Sequence, residues 1–325
     1  VSLLVVLLIC SGPLFSQISS SDKKLLQQKE DSLKFLSRNI ILDSLTAGRM
    51  ISDSQFVKTL VRILLIKNSF YYPLDSVKGV GRIYAPDTSF RIITWSISYS
   101  DYYHRQRGVI QFKPVNGVSR FIPLRDYSEF TTGANDSIRS NMNWIGAVYY
   151  NMVKTQFRGK NYYTLFGIDY NDLRSNKKWI EVLTFNEKNE PVFGGPYFSF
   201  DKDSIPKAPA YRYSIEYKKD ASTLVNFITD ENKILVDHLI SESDEPENKW
   251  TLVPDGDYEG FKWENGKWVH IEKVFTFKLQ DGQAPVGEQL LDNRGNVNEE
   301  KLLEKSKNNK QKKKDQEKKP DNNDY

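Results

Sequence analysis

One cysteine, three histidines and three methionines in 325 residues leave this chain poor in the groups that most often bind metals or carry redox chemistry. The single thiol, Cys10, lies inside an N-terminal apolar run. If that run is removed, the remaining chain can form no disulfide and hold no cysteine-ligated metal. His104, His238 and His270 are far apart in sequence and show no His-x-x-x-His spacing. No Gly-x-Ser-x-Gly, P-loop or dinucleotide fingerprint occurs, so no cofactor is expected. Charge of one sign is lacking too. The formal net charge is +4, and the basic excess sits at 301–319, where nine lysines face Glu304, Asp315 and Glu317. The balanced remainder offers no global field to recruit nucleic acid.

Only one long hydrophobic run is present, Val1-Ser-Leu-Leu-Val-Val-Leu-Leu-Ile9. It is shorter than the ~20 apolar residues that cross a bilayer as a helix. Its length suits the apolar core of an export signal, with Gly12 and Pro13 before a processing point after Ser16. A lipoprotein signal is disfavoured, because Ile9 precedes Cys10 where a small residue is required. Residues 1–16 therefore read as a cleaved signal peptide. The expectation is an exported chain without a transmembrane helix once mature, periplasmic first, surface-bound or secreted second.

What is abundant is aromatic: 18 Tyr, 18 Phe and 6 Trp, with 39% hydrophobic residues overall. Flat rings pack well on pleated, half-buried surfaces, so the composition favours strands and a sizeable core. The segment 17–76 reads as helical instead. Leu26, Leu33, Leu36 and Ile40 recur at helical spacing, Gly48 marks a stop, and Ser52-Asp-Ser-Gln55 matches a capping box for a second helix. Ile51 and Phe56 fit a hydrophobic staple, Asp53 suits the helix N-terminus, and Phe56, Leu60, Ile63 and Leu64 form an apolar stripe.

From 77 to 278 the pattern shortens. Strand-like runs at 90–99, 108–112, 144–151, 162–168, 179–185, 211–217, 224–228, 234–239, 261–263 and 268–277 alternate with turn clusters. Asn265-Gly266 is the sharpest turn, a pair suited to a two-residue hairpin. The reading is mainly β: an antiparallel β-meander, closing as a sandwich, a curved sheet or a propeller-like array, preceded by a two-helix N-terminal segment, hence α+β overall. Residues 279–325 read as a polar, lysine-rich disordered tail able to touch anionic surfaces weakly.

Two segments carry a resemblance. Tyr162-Tyr-Thr-Leu-Phe-Gly-Ile-Asp-Tyr170, running through Trp179 to Pro191-Val-Phe-Gly194, and Val253-Pro-Asp-Gly-Asp-Tyr-Glu-Gly-Phe261 with Gly266-Lys-Trp268, resemble blocks found in exported proteins of Bacteroidota. The resemblance implies a periplasmic or surface location and brings no activity with it.

Candidate sites are few. Tyr99, Asp101, Tyr102, Tyr103, His104 and Arg105 could bind a glycan or peptide, aromatic faces packing while charges orient. The plainer reading is a hairpin whose tyrosines pack across strands. Asp255, Asp257 and Glu259 imitate the opening of a calcium loop, but Gly266 stands where a bidentate Glu would complete it, and Pro254-Asp-Gly is itself a turn signature. Asp169-Tyr-Asn-Asp172 has similar oxygen spacing and the same plain reading. The leading expectation is a non-enzymatic envelope protein with a protein or glycan partner. The alternatives are a hydrolase using carboxylates such as Asp169, Asp172, Glu181 or Asp257, and a surface glycan-binding module.

Overall fold

The computed structural model describes residues 18–274. The signal-like run with Cys10, the processing point and the lysine-rich segment lie outside these residues. Helix α1 (Ser20–Leu42) starts where Ser19 accepts the Asp22 N–H at 3.1 Å. Leu26, Leu33, Leu36 and Ile40 are all buried, as their spacing requires. The chain breaks at Asp43, whose carboxylate accepts the Leu45 N–H at 2.9 Å. Helix α2 (Thr46–Leu64) follows.

The second helix therefore begins six residues before the expected capping box. Gly48 sits in its first turn rather than after a helix, where an added Cβ would meet the Asp43 carboxylate at 2.0 Å. Ser52 and Asp53 are buried in mid-helix, and Ile51 is exposed. Asp53 has a tertiary task. It accepts the Trp95 Nε1–H at 2.9 Å and pairs with Arg107 at 2.8 Å, fastening the helix to the sheet beneath. A local pattern resembling a cap here encodes a long-range anchor.

The first sheet is a meander of β1 (Val80–Tyr84), β2 (Phe90–Ser100), β3 (Tyr103–Phe112) and β4 (Phe121–Arg125). The second contains β5 (Arg139–Ser140), β6 (Val148–Phe157), β7 (Lys160–Asp169), β8 (Ser175–Phe185) and β9 (Pro191–Phe193), in the order β5-β9-β8-β7-β6. Two further strands are β10 (Phe198–Ser199) and β11 (Arg212–Lys218), the latter pairing with β8. The third sheet adds β12 (Val225–Ile228), β13 (Lys233–Ser241), β14 (Leu252–Glu264) and β15 (Lys267–Ile271) in the order β10-β15-β14-β13-β12. All pairs between named strands are antiparallel except β10 with β15. That parallel pair spans two residues, too few to leave a pattern in the sequence. Among the described residues no sheet closes into a barrel.

Three cores explain the layering. Helices α1 and α2 cover one face of the first sheet through Ile93, Trp95 and Ile97. Its other face, with Phe90, Ile92 and Ile110, packs on Tyr163, Leu165, Trp179 and Leu183 of the second sheet. The far face of the second sheet, with Tyr162, Phe166, Ile180 and Val182, meets Ile234, Val236, Phe261 and Trp268 of the third. The architecture is thus helices on three stacked sheets. Strands β2, β7 and β8 are buried on both faces along much of their length, so even polar residues such as Arg91, Thr94, Thr164 and Glu181 are withdrawn from water. Asn265 and Gly266 have φ of 50° and 82°, the left-handed pair a two-residue hairpin needs.

Inside the stack lies a fully buried ion pair, Arg212 Nε to Glu181 at 2.7 Å. The remaining guanidinium N–H groups donate to the carbonyls of Ala134, Ser137 and Phe193 at 2.6–2.9 Å. Glu181 also accepts from the Tyr149 hydroxyl, which accepts the Trp144 Nε1–H at 2.7 Å. Removing one partner strands a buried charge. Glu181→Ala is therefore expected to cost roughly 3–5 kcal/mol in denaturant-unfolding stability. The double change Glu181→Leu/Arg212→Met should stay destabilised, because the carbonyls of Ala134, Ser137 and Phe193 lose their donors.

Candidate functional site

Stacked sheets leave their ends to be closed by turns, and one end of the first and second sheets forms a cleft. The β2–β3 hairpin brings Tyr102, Tyr103 and His104 to it. The β7–β8 end contributes Asp169, Asn171, Lys177 and Trp179. The connection after β4 supplies Glu129 and Thr131. The enclosed volume is about 220 Å³. Of the six residues the sequence singled out, three line the cleft. Tyr99 lies against the helix-side core, its ring 5.7 Å from that of Tyr103, so the cross-strand packing and the cleft coexist. Asp101 is exposed and Arg105 half-buried, both off the lining.

Asp126 holds the cleft wall in shape. Its carboxylate accepts the backbone N–H groups of Gln106, Ser128 and Gly146 at 2.9–3.2 Å. Asp169 accepts from Gln106 Nε2 at 2.6 Å and from the Asn171 N–H at 3.0 Å. Burial nevertheless dominates and pushes the Asp169 carboxyl up to about 6, aided by the charge of Asp126. Burial, with Lys219 and Arg49 nearby, lowers His104 and keeps its imidazole neutral near pH 7. Burial and the Asp126 and Glu129 carboxylates raise Tyr103 to about 12. Lys177 pairs with Glu216 at 3.2 Å and lies 5.6 Å over the Trp179 ring. Two buried polar atoms here, Trp179 Nε1 and Gln106 Oε1, have no hydrogen-bond partner. The cleft therefore offers aromatic faces, a neutral imidazole, an ammonium and an acid that shares its proton near neutrality.

Asp255, Asp257 and Glu259 tell a different story. They lie on β14, where residues 255–257 bulge opposite His238 of β13. The segment is neither a calcium loop nor a turn between strands, because the ladder resumes on both sides. Each carboxylate has its own partner: His238 at 2.8 Å for Asp255, Lys273 at 2.7 Å for Asp257, and Tyr213 and His270 for Glu259. Among the described residues no group of three His, Cys, Asp or Glu is arranged to hold a metal ion. Asp172 caps the N–H groups of Arg174 and Ser175 in a polar turn, and Glu181 is taken by Arg212.

Sequence reading missed the cluster around His270. Its Nδ1 lies 2.9 Å from Asp203 and its Nε2 3.2 Å from Glu259, with Phe200 and Phe261 rings against the imidazole. The two carboxylates outweigh burial and raise the His270 pKa. These residues come from three separate stretches, so no spacing could have announced them. Among the described residues no helix is long and apolar enough to cross a membrane. Compared with protein-family models, curated proteins and solved structures, the chain matches none.

The Asp169 shift has a signed consequence. With a folded pKa near 6 against 3.8, the native state binds the proton more tightly, so stability falls as pH rises through that window. Asp169→Asn removes the penalty while keeping an oxygen acceptor for Gln106 and Asn171. The variant should match the parent near pH 4 and exceed it increasingly up to pH 6.5, read by chemical denaturation. His270 acts separately: its contribution is present below 6.5 and lost as pH rises through its raised folded value. Its ring protons should accordingly titrate above 6.5 by NMR.

Proposed function

We propose that this protein is an exported, non-enzymatic binding component of the cell envelope, and that its ligand enters the cleft between Tyr102, Tyr103 and Trp179. The observation that carries this reading is the convergence of aromatic and hydrogen-bonding groups from three separate segments on one cleft. At about 220 Å³ the cleft holds one sugar ring or one peptide residue, leaving the remainder of a chain outside. Tyr102, 76% exposed, forms the outer lip. Export rests on the apolar N-terminal run and on the resemblance to envelope proteins of Bacteroidota.

One observation favours a second reading, a hydrolase acting on an envelope glycan or peptide. Asp169 retains a proton up to about pH 6, as a general acid must, and Glu129 lines the same cleft. Against it, Asp169 is tied to Gln106 and Asn171, and no nucleophile–base pair faces it among the described lining residues.

The experiment passes soluble glycan and peptide fragments, released from envelopes, over the full chain. Mass spectrometry should find intact fragments retained, with retention falling at least about tenfold in Tyr102→Ala/Tyr103→Ala. Shortened fragments, formed by the parent but not by Asp169→Asn, would establish the hydrolase instead. No retention above background sinks both. For export, the N-terminus of envelope-fraction protein should begin at Gln17; an intact N-terminus confined to the cytosol refutes the location.

A further inference from the structure

The opposite end of the same pair of sheets carries a second, larger groove of about 650 Å³. Strand β2 runs from Phe90 at this end to Ser100 at the first cleft, and its 11 residues separate the two by roughly 30 Å. The floor is aromatic. Phe90, Phe112, Tyr163 and Phe185 contact one another at ring-centroid distances of 4.8–6.3 Å. The rim is cationic, with Lys113, Arg120 and Lys160 all exposed. None of the three has a carboxylate partner among the described residues. Arg120 lies over the Phe112 ring at 5.2 Å, and Lys160 over Tyr162 at 5.4 Å. The nearby acid, Asp87, is already engaged by Lys154 at 2.8 Å, by Ser89 and by the Tyr163 hydroxyl.

Neutral hydrogen-bonding groups also line the groove: Ser89, Ser119, Asn161 and Asn189. The Ser119 hydroxyl is buried with no partner. An acyl chain could use the exposed Val115 and Val118, which also line the groove, but would cover these polar groups without bonding them. A sugar ring uses all three kinds of surface. Its C–H face packs on aromatic rings, its hydroxyls bond Ser and Asn, and a carboxylate substituent meets Lys or Arg.

We infer that this groove binds an acidic carbohydrate, a chain of carboxylate-bearing sugars, independently of the cleft at Tyr102. The three cations act together, because unpaired charges at one rim sum their attraction for a ligand carrying one carboxylate per ring. Binding is correspondingly salt-sensitive.

The test is calorimetry on the full chain with trigalacturonate, with galactotriose as the neutral analogue and phosphatidylglycerol vesicles as the lipid arm. Trigalacturonate should bind saturably, at least about tenfold more tightly than galactotriose, and more weakly as salt is raised. Lys113→Gln/Arg120→Gln/Lys160→Gln should keep the parent's circular dichroism and lose at least about tenfold in affinity. The side chains are exposed, so folding should survive their change. No saturable binding, equal binding of the neutral sugar, or unchanged affinity in the triple variant overturns the inference. So does loss of affinity in Tyr102→Ala/Tyr103→Ala instead, which assigns the sugar to the other cleft. Capture by vesicles that depends on the three cations, with no binding of trigalacturonate, replaces the carbohydrate with a lipid.

Discussion

The pairing of Arg212 with Glu181 is the interaction on which the rest of the stack hangs. Both side chains are almost wholly withdrawn from water, at 0% and 2% exposure. Such a pair survives burial only when the leftover donors and lone pairs are satisfied. Arg212 meets that condition by donating to carbonyls from the 134–137 connection and from β9, while Glu181 takes the Tyr149 hydroxyl of β6. One ion pair thereby ties β6, β8, β9, β11 and an otherwise irregular loop to a common point. Arg91 shows the same economy without any acid. It donates to Gln111, Tyr84 and the carbonyls of Ser69 and Tyr72, holding the turn after α2 on the first sheet.

These buried polar anchors explain why the sandwich ends are built rather than ragged. The 126–146 connection has little regular structure, yet Asp126 takes the N–H groups of Ser128 and Gly146, and Arg212 the carbonyls of Ala134 and Ser137. A loop so held presents Glu129 and Thr131 to the cleft in a defined place. At the other end, turns around Asp87, Asn116 and Asn189 surround an aromatic floor. Concave surfaces open at both mouths, while the strands between them are buried on both faces along much of their length.

Legibility in the sequence followed the range of the interaction. The stripe Leu26, Leu33, Leu36, Ile40 and the turn Asn265-Gly266 could be read because periodicity and backbone preference act within a few residues. The short strands β5, β9 and β10 could not, since two or three residues carry no period. Ser52-Asp-Ser-Gln55 misled for a related reason: Asp53 was chosen for Trp95 and Arg107, about forty and fifty residues away, and looks like a cap only locally. Tyr102, Tyr103 and His104 could be found as a polar-aromatic cluster, whereas their facing residues Asp169, Lys177 and Trp179 could not be matched to them.

The sequence alone determined the mainly β class, the helical pair in front of it, most strand positions and the scarcity of metal-binding side chains. Those properties follow from composition and from patterns of period two and 3.6, which each segment carries by itself. Only the tertiary structure decided that the strands form three stacked sheets, that Asp169 and His104 line one cleft, and that His270 lies between Asp203 and Glu259. Such pairings depend on which buried faces meet, and that choice is made by the whole core at once rather than by any stretch of chain.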